Sequence, residues 1–125
     1  MQDCKHNDSA EKLTLLELVL RVQGAFRRSL DPIRVTPLQA GMILFLCRHA
    51  SATLTDAADA LGVGLPTLSE VVKDLVRKRW VTKRRSLTDS RAVCLSLTQR
   101  GEALAQKIAE RVQHVKSDLT RQSGA

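Results

Sequence analysis

The stretch TDAADALGVGLPTLSEVVKDLVRKRWV, residues 55–81, holds the reading that decides the fold. Its first eight residues have a capping residue in front and a glycine behind. That predicts a short helix with Thr55 as N-cap and Gly62 as the stop. A turn, GVG, follows, and then a helix from about Leu65 to Lys78. At about 100° per residue, Leu68, Val71, Val72, Leu75 and Val76 share one face, and Pro66, Ser69, Glu70, Lys73 and Arg77 cluster on the opposite one. The first face is a core stripe. The second is polar and basic, with short side chains in its first turn. Two helices joined by a tight Gly-containing turn make a helix-turn-helix pattern. Many helix pairs imitate that pattern, so the flanking sequence has to decide.

The downstream flank is VTKRRSLTDSRAVCLSLT, residues 81–98. Val81 to Arg85 reads as one strand and Ala92 to Leu97 as a second, with Val93, Leu95 and Leu97 alternating inward. The loop SLTDS lies between, so Lys83, Arg84, Arg85, Asp89 and Arg91 stand at or beside the tip of a hairpin. An ordinary amphipathic helix explains the inner face of residues 65–78, but it does not explain a cationic hairpin directly after it. Thr98 then caps a long last helix. In it Ala105, Ile108, Val112, Val115 and Leu119 recur every three or four residues, a single stripe suited to packing on another helix.

Upstream, TPLQ opens a helix from Thr36 to about His49. Thr36 is the cap, Pro37 takes the first helical position and Gln39, three residues after the cap, completes a capping box. Leu38, Met42 and Phe45 form its inner face, and Thr53 and Leu54 read as a short strand. The chain before it breaks at Asp31-Pro32. A first helix, capped by Asp8 or Ser9, runs to about Leu30 behind a polar tail, residues 1–8. Its apolar residues fill two lines, Leu13, Leu16 and Leu20, and Leu15, Val19, Val22 and Phe26. A helix apolar on most sides must be covered on most sides. One small domain does not supply that cover, so a partner subunit is expected.

The chain has 125 residues, enough for one domain with one core. Its net charge is +7, and Pro66 to Arg91 holds eight bases against three acids, so about a fifth of the sequence carries five of those seven charges. One-sided clustering points to a polyanion rather than to a solvated face alone. Two phenylalanines, one tryptophan and no tyrosine leave too few rings for a surface that stacks single-stranded bases. Duplex is the better match. A helix in a major groove needs small polar groups near the bases and long cations near the phosphates, which is what the outer face of residues 65–78 offers. No run approaches the roughly 18 apolar residues of a membrane helix, and the start, MQDCKHNDSAEK, lacks the apolar block of a signal peptide. A cytoplasmic protein without membrane association is expected.

The order helix, helix, helix-turn-helix, charged hairpin, long helix resembles the MarR family of winged helix-turn-helix transcription regulators, over roughly Leu13 to Leu119. TPLQAGMILFL looks like the family's second helix. Residues 55–81 look like its helix-turn-helix, and DSRAVCLSLTQRGEAL like its wing and the start of its last helix. The resemblance implies a mainly α fold with a small β-wing and a homodimer built through the N- and C-terminal helices. A single domain would span 9–125: residues 9–30 and 98–123 dimerise, residues 36–97 form the DNA-binding lobe, and 81–97 is the wing. It implies duplex DNA as partner and action as a repressor. Pro66, Thr67, Ser69, Glu70, Lys73 and Arg77 would then face base edges or phosphates in the major groove, and Lys83, Arg84 and Arg85 would hold flanking phosphates. Asp89 and Ser90 would form the wing tip, where Asp89 steadies Arg91 as it probes the minor groove. Two departures stand out. Arg79 occupies a position where the family often has glycine, so either it accepts a left-handed conformation or the turn differs. The sequence also ends soon after Leu119, where many relatives add a further helix.

No sequence feature identifies an effector. A small molecule between the dimer helices and the DNA-binding lobe would meet Val22, Phe26 and Met42, which read equally as plain core. Redox sensing would fall to Cys4 or Cys94, since Cys47 sits on an apolar helix and reads as packing. Metal binding through Cys4, His6 and His49 or His114 lacks the close pairs of a dedicated site, and no cofactor is expected. Asp56 and Asp59 read as helix polar groups, and no catalytic motif is present, so the chain does not read as an enzyme. A winged-helix module that docks an acidic protein is the competing reading.

Overall fold

Capping residues set most of the element boundaries. The computed structural model of the chain describes residues 7–85 and 93–124. Helix α1 spans Asn7–Leu30, so it already includes Asp8 and Ser9, and neither stands in front of it as a cap. A single 3₁₀ turn, Asp31–Ile33, takes up the expected break at Pro32. Helix α2, Pro37–Arg48, begins with the full capping box: Gln39 N–H donates to Thr36 Oγ1 at 3.1 Å, and Thr36 N–H donates to Gln39 Oε1 at 3.1 Å.

The next boundary differs from the sequence reading. Strand β1 is Ala52–Thr53, and helix α3, Leu54–Leu61, is capped by Thr53 rather than Thr55. Thr53 is extended, its Oγ1 accepts from Asp56 N–H at 3.1 Å, and its own N–H donates to Asp56 Oδ2 at 3.3 Å. The reason is spacing: an acid three residues on closes a reciprocal pair for Thr53 and not for Thr55. Gly62, at φ 66°, ends α3 in the left-handed region as expected. Helix α4 runs Leu65–Arg77, with Lys78 as its C-cap.

Strands β2, Val81–Arg85, and β3, Val93–Leu97, pair antiparallel, and β1 joins the other edge of β3 to give the order β1-β3-β2. Val93 is a correction: it was expected inward but is exposed, whereas Leu95 is fully buried. Val93 lies opposite Arg85 at the outer end of the ribbon, past the reach of the helical body. Helix α5, Gln99–Gly124, closes the domain. The core gathers Met42, Ile43, Leu68, Leu75, Leu95 and Ile108, all essentially inaccessible. The predicted α5 stripe is used within the chain. Ala105, Ile108 and Val115 are buried as α5 packs on α1 and α2, and Ser29 Oγ donates to the Arg111 carbonyl at 3.1 Å.

The end of α4 is tied to the start of α5. Arg79 takes the left-handed conformation, φ 63°. With it the helix closes in a double hydrogen-bonded turn, Arg79 N–H to Val76 O and Trp80 N–H to Leu75 O, both 3.0 Å. The two carbonyls that follow are both taken by Thr98: its Oγ1–H donates to Arg79 O at 2.6 Å and its N–H to Trp80 O at 3.0 Å. Thr98 Oγ1 also accepts Gly101 N–H at 3.0 Å, the expected cap of α5. Gly101 must be glycine here, because a Cβ would sit 2.1 Å from the Trp80 carbonyl oxygen.

One surface is left unfinished. Leu13, Leu15, Leu16, Leu18, Val19 and Leu20 of α1 are each 49–61% exposed. No single helix among the described residues is long and apolar enough to cross a membrane.

Gly101→Ala tests the joint. Helix propensity alone would stabilise by about 1 kcal/mol. The clash reverses the sign, and a loss of about 1–3 kcal/mol is expected, read from urea unfolding midpoints. A gain in stability would mean that the two backbones do not approach this closely.

Candidate nucleic-acid interface

Helix α4 turns Leu68, Val72 and Leu75 into the core and leaves Pro66, Thr67, Glu70, Lys73 and Arg77 exposed, with Ser69 half-buried. The two faces read from the sequence are therefore the two faces of the folded helix. Lys73 Nζ lies 3.7 Å from Glu70 Oε1, and both side chains are well exposed. Such a pair holds little energy and yields readily to a stronger anion.

Asp74 behaves differently. Its carboxylate faces the rim of the basic surface yet is only 23% exposed. Oδ2 accepts from Gln39 Nε2 at 2.7 Å and lies 3.1 Å from Lys78 Nζ, while Oδ1 accepts from Arg77 Nη2. The hydrogen bond from Arg77, then that from Lys78, hold its pKa below the ordinary value despite the opposing pull of burial. Lys78 Nζ also lies 5.2 Å from the centre of the Trp80 ring, within cation–π range. The sequence reading counted Asp74 only as an acid among bases. Its spacing to Arg77 and Lys78, three and four residues on, was a usable signal, but the partner on α2 was not.

The wing strand β2 is buried only at Val81, and Thr82 to Arg85 are exposed throughout. The register pairs Lys83 with Leu95, Arg84 with Cys94 and Arg85 with Val93. Side chains alternate across a strand, so Lys83 and Arg85 stand on one face of the ribbon and Arg84 on the other. The three cations are thus near one another without forming one surface. Asp89, Ser90 and Arg91 lie outside the described residues.

Of the sensing candidates, Cys4 and His6 also lie outside the described residues. Cys94 is half-buried in the central strand. Cys47, read as packing, is exposed: Met42, Ile43 and Leu46 take the inner face of α2 and leave it on the flank. His49 stacks on Phe45, ring centres 4.5 Å apart. No group of three potential metal ligands occurs among the described residues. Phe26, Leu30, Pro37, Ala40, Leu44 and Val112 line an apolar cavity of about 270 Å³ between α1, α2 and α5. Met42 is sealed in the core and Val22 is half-buried.

A helix pair with a basic second helix, followed by a cationic two-stranded ribbon and held on a long helix, defines a winged helix-turn-helix fold. Residues 35–92 match the model of the MarR family. The organic hydroperoxide resistance transcriptional regulator of Bacillus subtilis (strain 168) is 28% identical over 99 residues, covering 79% of this chain and 67% of the relative. Wild-type E. coli MarR in its apo form superposes with TM-score 0.81 at 25% identity, covering 87% of this chain and 82% of that one. A cysteine-to-serine mutant of E. coli MarR, complexed with operator DNA, superposes with TM-score 0.84 at 24% identity, covering 94% and 85%. In sequence over residues 35–92, and in fold over most of its length, the chain is similar to MarR-family winged helix-turn-helix transcription regulators.

The lowered Asp74 pKa gives a signed prediction. Stability from its ionised form is present above the ordinary aspartate value of 3.8 and is lost as pH falls through the depressed folded-state value. Asp74→Asn is therefore expected to be less stable than the parent near neutrality. The gap between the two should close as pH drops below about 3.8, followed by denaturant midpoints. A gap independent of pH would remove the ionic part of this account.

Proposed function

We propose that this protein is a sequence-specific duplex-DNA-binding repressor that acts as a homodimer in the cytoplasm. One observation carries the reading: the exposed face of α4 and the exposed wing strand are cationic, adjacent and fixed to one another through the Arg79–Trp80 joint. Helix α4 would lie in the major groove. Pro66, Thr67, Ser69, Glu70 and Lys73 would face base edges and neighbouring phosphates, with Arg77 at the rim. Lys83 and Arg85 would meet one phosphate run and Arg84 the next. Arg91, steadied by Asp89 and Ser90, would enter the minor groove.

Residues 36–97 form the DNA-binding lobe in this reading, and residues 9–30 and 98–123 the dimer. The exposed apolar residues Leu13 to Leu20 support it, because a patch of that size on a soluble chain marks an interface. A small apolar effector would sit in the cavity beside Phe26, Leu44 and Val112, where dimer helices meet the lobe. Similarity to MarR-family regulators supports a non-catalytic role. The alternative, a module that docks an acidic protein, has no separate observation in its favour.

Selection of bound fragments from a genomic pool by the purified protein supplies the operator. Affinity for it is expected to fall steeply with salt, by roughly 10³–10⁵ between about 50 and 200 mM for some 6–10 phosphate contacts. Lys83→Ala should flatten the slope by about one unit on every sequence, whereas Arg91→Ala should weaken binding most where the minor groove is narrow. Failure to shift any duplex at low salt would favour the protein-docking alternative. Light scattering is expected to give twice the chain mass, and Leu16→Glu to reduce it to a monomer.

A further inference from the structure

We propose that Asp74 is a specificity-determining positioning residue: it locks the recognition helix to α2 through Gln39 and offsets part of the sequence-blind attraction of Arg77 and Lys78 to phosphate. The inference rests on the DNA-binding reading above.

An acid three and four residues before two bases is commonplace on a helix and of small consequence. Three features set Asp74 apart. It is mostly shielded from water, at 23% exposure, whereas Glu70 on the same helix is 75% exposed. Its two oxygens take three donors, from two different helices. And the donor on α2 is itself committed. Gln39 is nearly buried, its Oε1 accepts the Thr36 N–H that caps α2, and its Nε2 is spent on Asp74. A continuous chain of polar contacts therefore runs from the first turn of α2 to the last turn of α4. Rotation or sliding of α4 about its axis breaks it.

The electrostatic half follows from the same geometry. Arg77 is on the face that would meet DNA, and Lys78 is at the joint with the wing, held between the carboxylate and the Trp80 ring. Cations free to meet phosphate raise affinity for all duplexes alike. One carboxylate offsets one of the two positive charges, so the cluster presents a net +1 to phosphate where Arg77 and Lys78 alone would present +2. Asp74 thus lowers binding to wrong sequences while it fixes the helix that reads the right one.

The test compares the selected operator with a scrambled duplex of equal length across a salt series. Asp74→Asn keeps an oxygen for Gln39 Nε2 but frees both cations. It is expected to bind scrambled DNA at least about threefold tighter, with a salt slope steeper by about one unit, so the operator preference shrinks. Gln39→Ala breaks the tie, together with half of the α2 capping box, and leaves Asp74 paired to both cations: operator affinity falls about tenfold and the salt slope stays at the parent value. Arg77→Ala added to Asp74→Asn restores the net charge of the cluster and is expected to return the slope to within about half a unit of the parent value, while Gln39→Ala gives a readout that does not depend on the Asp74 variants folding. An unchanged slope in Asp74→Asn, or a slope that stays steep when Arg77→Ala is added to it, overturns the proposal while leaving DNA binding standing. A parent protein that binds no duplex overturns both.

Discussion

Everything in this protein is oriented by one backbone joint. Helix α4 cannot run on past Lys78, because Arg79 is left-handed and its turn is closed by two hydrogen bonds. The carbonyls of Arg79 and Trp80 would then face outward unsatisfied, and Thr98 accommodates both. Backbone groups left unpaired in such a place cost about as much as a lost hydrogen bond. The joint is therefore satisfied only in one arrangement. It fixes the angle between α4, the ribbon that leaves it and the long helix that starts where the ribbon returns, with Leu97 opposite Val81. An arginine in a conformation that glycine adopts more easily costs roughly 1 kcal/mol. The four hydrogen bonds around it offset that cost.

Around this joint the molecule divides its apolar surface unevenly. The lobe is well packed, with core side chains from α2, α3, α4, the sheet and α5 at almost no exposure. Helix α1 joins it through Phe26 and Leu30, but its first half carries large aliphatic side chains into solvent. Side chains of Thr36 and Thr53 cap the starts of α2 and α3, and left-handed Gly62 and Arg79 follow the ends of α3 and α4, so much of the lobe closes from its own flanks. The apolar side chains of Leu13 to Leu20 find no such cover among the described residues. Stability of that half and assembly are thus the same physical question.

Much of this was legible in the residues. TPLQ, the Gly62 stop, Thr98 and the two faces of residues 65–78 are local, and each was readable because its partner lies within four positions. The cap at Thr53 was missed although it obeys the same rule, because the strand reading of Thr53 and Leu54 hid the Thr-x-x-Asp spacing. Other misses are of a different kind. The exposure of Val93 and Cys47 depends on where the body of the domain ends, and the Gln39–Asp74 contact joins residues 35 positions apart. No periodicity encodes either. Of the proposed site, the polar face of α4 and the strand of the wing were visible as charge patterning. The split of Lys83 and Arg85 from Arg84 needed only the two-residue repeat of a strand.

The three-stranded sheet has one more consequence. A sheet with bare margins invites further strands from other molecules and so nucleates aggregates. Here one margin is β1, two residues long, and it leads at once into a helix. The other is β2, where Lys83, Arg84 and Arg85 place like charge along the outermost backbone. Neither margin accepts a visiting strand. A ribbon held out into solvent thereby stays available for its own partner without recruiting copies of itself.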